Sequence, residues 1–261
     1  MKLGVNIDHI AVLREARRVN SPNLIEAVGV CQIAGANQIT IHLREDRRHI
    51  QDKDVEDLIK HSPLPINLEC AIEPSIIDIV TALKPLRATL VPEKREEVTT
   101  EGGLALSLEN KKLTKAINRL QENEIEVSLF IDPTKEALNL AKELNVEWIE
   151  FHTGKYANIF AMLFTNLPHT PHSIKELELS RKELKRMLKE ELENLKTLSS
   201  YAKNLGLEVA AGHGLNYQNV KEIAKIADIK ELNIGQSIVA RSVFVGLERA
   251  IKEMVDLIKR A

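Results

Sequence analysis

The chain has 261 residues, enough for one large α/β domain or two small ones. Hydrophobic residues make up 44% and charged residues 28%, so a full core can be buried, but aromatics reach only 3% and that core must be aliphatic. Thirty-six basic residues against thirty-eight acidic ones leave a formal net charge of -2, which excludes the basic excess that a nucleic-acid partner calls for.

The opening MKLGVNIDHI has no sustained apolar stretch and Asp8 interrupts it early, so it does not read as a signal peptide. No window approaches the ~18 apolar residues of a membrane span. The expectation is a soluble, cytoplasmic protein with no membrane partner. Cys31 and Cys70 could pair, but free buried thiols fit a reducing compartment better.

Short apolar runs alternate with stretches of helical periodicity. The first strand is expected at Lys2–Ile7, and Ala34–Gly35–Ala36 closes a helix before the second at Gln38–His42. A helix over Asp54–Lys60, starting from a cap at Asp52, leads to a strand at Ile66–Glu69. Ser75–Leu83, capped by Ser75, is a helix before the strand Ala88–Val91, and Glu109–Asn123 one before Glu126–Ile131. Lys135–Leu144 then precedes the strand Trp148–His152. A long gap follows before the seventh strand, Glu208–Ala211, introduced by a helix stop at Gly206–Leu207. Its middle, ELELSRKELKRMLKEELENLKTL, reads as a solvated helix that needs packing on its Leu stripe, and residues 159–198 as a helical insertion. The helix Asn219–Ile226, the strand Glu231–Ile234 and a last helix Ile238–Lys259 complete the chain.

Eight such units, with strands too apolar to have one wet face, imply a parallel sheet covered by helices. At a typical length of ~250 residues this closes into a (β/α)8 TIM barrel, with extra helices, in preference to an open doubly wound sheet. The whole chain, 1–261, is read as one domain.

Active sites of such barrels form where the strands end. Strand one ends in Asn6, Asp8 and His9, and strand two in His42 followed by Arg44, Arg47, Arg48 and His49. Strand three ends in Glu69, strand six in His152–Thr153–Gly154, and strands seven and eight in Gly212–His213–Gly214 and Asn233–Gly235–Gln236. One such histidine would be an ordinary core residue; His42, Glu69 and His213 together on one rim point to catalysis. The glycine turns after strands seven and eight sit where barrels commonly bind phosphate, although they could serve turn geometry alone. LREDRRH suits phosphate recognition, yet Glu45 and Asp46 can pair with its arginines locally. Glu93–Gly103 reads as a mobile lid hinged at Gly102–Gly103.

Several strings together resemble one family. GVNIDHIAVLREARR, ITIHLREDRRHI, the NLE of Asn67–Glu69, LVPEKREEVTTEGG, VSLFID, IEFHTGKYA, AGHGLNY and ELNIG are similar to the pyridoxine 5′-phosphate synthase family, from Leu3 to the last helix. The resemblance implies a homo-octameric barrel that condenses 3-amino-2-oxopropyl phosphate with 1-deoxy-D-xylulose 5-phosphate. The products would be pyridoxine 5′-phosphate, phosphate and water. It places catalysis on His42, Glu69 and His213. It places the aminoketone phosphate on Asn6, Arg17, Gly214, Gly235 and Gln236, and the sugar phosphate on Asp8, His9, Arg44, His49 and Thr99. Gln236 departs from the family's usual histidine, which removes a charge from that position.

Amine addition, loss of water, phosphate elimination and ring closure all move protons and transfer no hydride, so acids and bases suffice. No cofactor and no metal are expected. A rival is a metal-dependent phosphosugar epimerase or hydrolase, against which the chain has no H-x-H and no H-E-x-x-H spacing. A second rival, a non-catalytic barrel binding nucleic acid through the basic loop, conflicts with the charge balance.

Overall fold

A computed structural model of the chain describes residues 1–93 and 102–261; Thr99 and most of the segment expected to form a lid lie outside the described residues. Eight parallel strands close on themselves: β1 (Lys2–Asn6), β2 (Gln38–Leu43), β3 (Ile66–Cys70), β4 (Arg87–Leu90), β5 (Glu126–Ile131), β6 (Trp148–His152), β7 (Glu208–Gly212) and β8 (Glu231–Ile234). Each pairs with the next, and β8 pairs back with β1. The closed (β/α)8 barrel is the expected fold.

The character of the strands differs from the expectation. They are not near-continuous apolar runs but alternate at every residue, as the pleat requires. Val5, Ile39, Ile41, Leu68, Leu129 and Phe151 are buried in the aliphatic core. The residues between them face the barrel interior and are mostly polar, with Gly4, Phe130 and Ala210 among the exceptions. Gln38 Nε2 and an Arg87 N–H both donate to Glu231 Oε1, at 2.9 and 3.0 Å. Thr40 Oγ1 donates to Asn233 Oδ1 (3.0 Å), and Asn233 Nδ2 donates to Glu150 Oε2 (2.7 Å). Since β8 has only β7 and β1 as neighbours, bonds from it to β2, β4 and β6 must cross the lumen. Pairing of this kind is what makes a buried polar layer tolerable, because each unmatched group costs about 1–3 kcal/mol. The Arg87 guanidinium also lies 3.6 Å from the centre of the Trp148 ring.

The outer layer holds α1 (Asp8–Glu15), α2 (Leu24–Ala34), α3 (Asp52–His61), α4 (Pro74–Leu83), α5 (Lys111–Glu122) and α6 (Lys135–Glu143). It continues with α7 (Gly154–Phe164), α8 (Arg181–Asn204), α9 (Val220–Ala224), α10 (Gln236–Val245) and α11 (Leu247–Lys259). Two expected caps move. α3 starts from a box in which Gln51 N donates to Asp54 Oδ2, and α4 starts from Glu73 with Pro74 in its first turn. The expected last helix is two helices. Gly246 adopts φ 81, a left-handed conformation that ends α10 and turns the chain into α11.

Between β6 and β7, Leu167–His169 and Lys175–Leu177 form short 3-10 turns joining α7 to α8. Ile159, Met162, Leu163 and Leu184 form a small apolar cluster of their own there. Ser180 and Glu183 cap the 24-residue α8 reciprocally, and its Leu184, Leu195 and Leu198 are buried as the stripe requires. Gly206, at φ 81, follows its end.

A Cβ on Gly103 would fall 2.3 Å from Asp132 N, so glycine permits the approach to β5 that lets Leu104 N donate to Phe130 O. Cys31 and Cys70 are free and buried, and burial pushes both thiols up, Cys31 to about 12. Among the described residues no helix is long and apolar enough to cross a membrane.

Candidate active site

The register of β2 on β3 sets His42 directly beside Glu69 at the C-terminal ends of the two strands. Both are half-buried. Asp8, the first residue of α1, locks β1 to β2: its Oδ1 accepts from His42 N (2.9 Å) and its Oδ2 from Asn6 Nδ2 (2.8 Å). Asp8 N in turn donates to Asn6 Oδ1 (2.9 Å). His9, the next residue, is exposed.

Glu93 enters from the segment after β4. Its Oε1 lies 3.0 Å from His42 Nε2 and its Oε2 accepts from Glu45 N at 2.9 Å. Burial alone would raise this carboxyl, but the hydrogen bonds from His42 and the Glu45 amide outweigh burial and hold it below its ordinary value.

The loop after β2 carries the basic cluster. Arg44 and Arg48 both pair with Asp46, and Arg47 pairs with Asp52, so the local pairing expected for this loop is present. The hydrogen bond from Arg44, against burial, holds Asp46 well below the usual carboxylate range. Arg44 and His49 are buried. His49 Nδ1 accepts from Ile50 N (2.9 Å), which leaves its hydrogen on Nε2. Arg14 braces this loop from α1: it donates to both Asp54 oxygens at 2.6 Å and to His49 O at 3.1 Å.

On the other side of the mouth, His213 follows β7 with φ 76, a left-handed conformation that few non-glycine residues adopt. Its ring meets His152 edge to face, with centroids 4.7 Å apart. His152 Nδ1 stands 3.1 Å from Asp132 Oδ1 at the end of β5. Gly214 is also left-handed, and Ser237 Oγ donates to Leu215 O (2.8 Å), joining this turn to the first turn of α10. Gln236 opens α10 and is exposed. A Cβ on Gly235 would stand 2.8 Å from Asn6 Cβ, so glycine is what lets β8 close onto β1 at the rim. One layer down, burial pushes the Glu150 carboxyl up to about 7, against the hydrogen bond from Asn233.

The fold thus gathers Asn6, Asp8, His42 and Glu69 along one side of the rim, with Arg44 and His49 behind them; Gly235 and Gln236 adjoin Asn6 where β8 meets β1, and His213 and Gly214 follow from β7. Arg17 is exposed two residues past the end of α1. Thr99 lies outside the described residues. The structure adds Glu93 and Glu150, which the sequence reading passed over. For Glu150 a signal existed: in WIEFH, an acid alternates with Ile149 and Phe151. Glu93 sits in a charged run and has no such mark. Among the described residues no group of three His, Cys, Asp or Glu side chains could hold a metal ion.

A closed parallel barrel that presents opposed titratable groups at its strand ends has the architecture of a (β/α)8 enzyme. The chain belongs to the family described as pyridoxal phosphate biosynthesis protein PdxJ, which matches residues 3–260. It is 65% identical over 258 residues to the pyridoxine 5′-phosphate synthase of Sulfurovum sp. (strain NBC37-1), covering 99% of this chain and 100% of the relative. It is 64% identical over 259 residues to that of Aliarcobacter butzleri (strain RM4018), covering 99% of each. Among solved structures it is similar to N-(5′-phosphoribosyl)anthranilate isomerase from Pyrococcus furiosus, with TM-score 0.59 and 12% identity over the whole of both chains. That likeness speaks to the fold alone.

Proposed function

We propose that this chain carries the activity named for its relatives, joining 3-amino-2-oxopropyl phosphate to 1-deoxy-D-xylulose 5-phosphate with release of phosphate and water. The observation that carries the reading is His42 in register with Glu69 at the barrel mouth of a chain that matches the family from end to end. Glu69 is the principal base, His42 assists proton abstraction and orients a hydroxyl, and His213 protonates a leaving oxygen. Asn6, Arg17, Gly214, Gly235 and Gln236 receive the aminoketone phosphate, with the first turn of α10 offering N–H groups to the anion. Asp8, His9, Arg44, His49 and Thr99 receive the sugar phosphate. The reaction is a transferase condensation that uses no cofactor and no metal. The chain acts in the cytoplasm as one domain and assembles as a homo-octamer, for which Val243 and Phe244, 72% and 84% exposed on α10, offer apolar contact surface.

Incubation with both phosphates tests the reading. The expected result is the absorbance of pyridoxine phosphate rising together with free phosphate, with neither substrate sufficient alone. Phosphate release without the new chromophore would overturn it.

A further inference from the structure

We propose that Glu93 is a positioning residue for His42, holding its imidazole with hydrogen on Nε2 and the lone pair on Nδ1, so that Nδ1 is the atom that takes up a proton. The inference rests on the reading of His42 as a proton acceptor. It adds the group that decides which nitrogen accepts.

Three observations carry it. Glu93 is nearly enclosed, with its side chain 6% exposed, and each oxygen has its own partner: Oε2 takes the Glu45 amide and Oε1 faces His42 Nε2 at 3.0 Å. An ionised carboxylate only accepts, so a hydrogen bond between this pair requires the hydrogen on Nε2. The backbone beneath the ring is fixed as well, since His42 N donates to Asp8. A neutral ring held this way carries its free electron pair on Nδ1. When Nδ1 takes a proton from substrate, the electron pair of the broken bond stays with the substrate. The imidazolium formed is stabilised by the carboxylate at Nε2 until Nδ1 returns its proton.

A carboxylate that only stapled the segment after β4 to the loop after β2 would use the same bonds, and Glu93→Gln separates the two roles. The Gln carbonyl must stay on the Glu45 N–H, because the reversed amide would set donor against donor. Its NH2 then faces His42 Nε2 and can bond only a lone pair there. The ring hydrogen moves to Nδ1 and blocks the accepting atom. Glu93→Ala removes the carboxylate but imposes neither tautomer. The expected result is a kcat about a thousandfold or more lower in Glu93→Gln, with KM changed by less than about threefold, and a milder loss of about ten- to a hundredfold in Glu93→Ala. A staple predicts the reverse order, because Gln retains hydrogen bonds that Ala lacks.

The nitrogen-15 spectrum of histidine-labelled protein, with His42 assigned by its absence in His42→Asn, reads the tautomer directly. Wild type should show hydrogen on Nε2 and Glu93→Gln hydrogen on Nδ1. Hydrogen on Nδ1 in wild type would overturn the proposal, and that reading needs no variant at position 93 to fold. An unchanged His42 tautomer in Glu93→Gln, or a larger kcat loss in Glu93→Ala, would overturn it too. If His42→Asn kept full turnover, the reading of His42 as acceptor would fall, while the spectrum would still judge the pairing with Glu93 by itself.

Discussion

Replacing Glu150 by Gln is expected to stabilise the protein at neutral and alkaline pH and to leave it nearly unchanged near pH 4. Glu150 is 2% exposed inside the barrel, and burial, with a further push from Glu231, raises its carboxyl from 4.5 to about 7 against the opposing Asn233 hydrogen bond and Arg87 charge. Between those two values the unfolded chain has released a proton that the folded chain still holds. Stability therefore falls as pH rises through this window, and the cost is complete above about pH 7. At about 1.36 kcal/mol per pH unit, a rise from 4.5 to about 7 corresponds to at most about 3 to 4 kcal/mol. Gln mimics the protonated group: its carbonyl can keep the bond from Asn233 Nδ2, and its NH2 stands where the carboxyl hydrogen would be. Urea unfolding of both proteins at matched concentration, near pH 4 and near pH 8, measures the difference. It should grow from near zero to between about 1 and 3 kcal/mol. An equal difference at both pH values, or a loss of stability at pH 8, would refute the account of Glu150 as an acid whose burial opposes ionisation.

Glu69→Gln and His213→Asn should each lower turnover by about two to four powers of ten, read as phosphate release. Asn tolerates the left-handed backbone at position 213, so unchanged circular dichroism is expected there, and turnover within threefold of wild type would remove either residue from the mechanism. Gln236→His should tighten the aminoketone phosphate below about pH 6.5 only, where the new ring is charged; calorimetry giving the same affinity change at every pH would show that position 236 does not face the phosphate. Gly235→Ala drives a methyl against Asn6 Cβ and Asn6 O and should cost about 1–3 kcal/mol in thermal unfolding. An unaltered midpoint would mean that β1 and β8 are not in close contact at the rim.

The barrel was legible because its outward residues are few in kind. In QITIH, Ile39 and Ile41 mark a strand as plainly as any apolar run, and the strand positions follow to within one residue at either end. The inward set was harder to see. Gln38, Thr40 and His42 in that same string look like interruptions until the ring closes and supplies Glu231 and Asn233 from nearly two hundred residues away. α1 was hidden for another reason. Its first residues, Asp8 and His9, carry the polar signal of a strand end, and the whole helix is only eight residues long. Among site residues, His42, Glu69 and His213 stand out because each ends an apolar strand. Glu93 gains its meaning from a contact across 51 positions, which no local spacing encodes.

The bonds that cross the lumen nearly all converge on two residues of β8: Glu231 takes Gln38 and Arg87, and Asn233 takes Thr40 and reaches Glu150. During synthesis, a chain that has emerged only as far as β7 has the aliphatic outer faces of seven strands but lacks the β8 partners of Gln38, Thr40, Arg87 and Glu150, groups already committed to the inside. Such a fragment can collapse, yet it cannot settle. Folding should become productive only once residues 231–234 have cleared the ribosome, with α10 and α11 still to follow, so the nascent protein must be kept from aggregating until nearly the end of its translation.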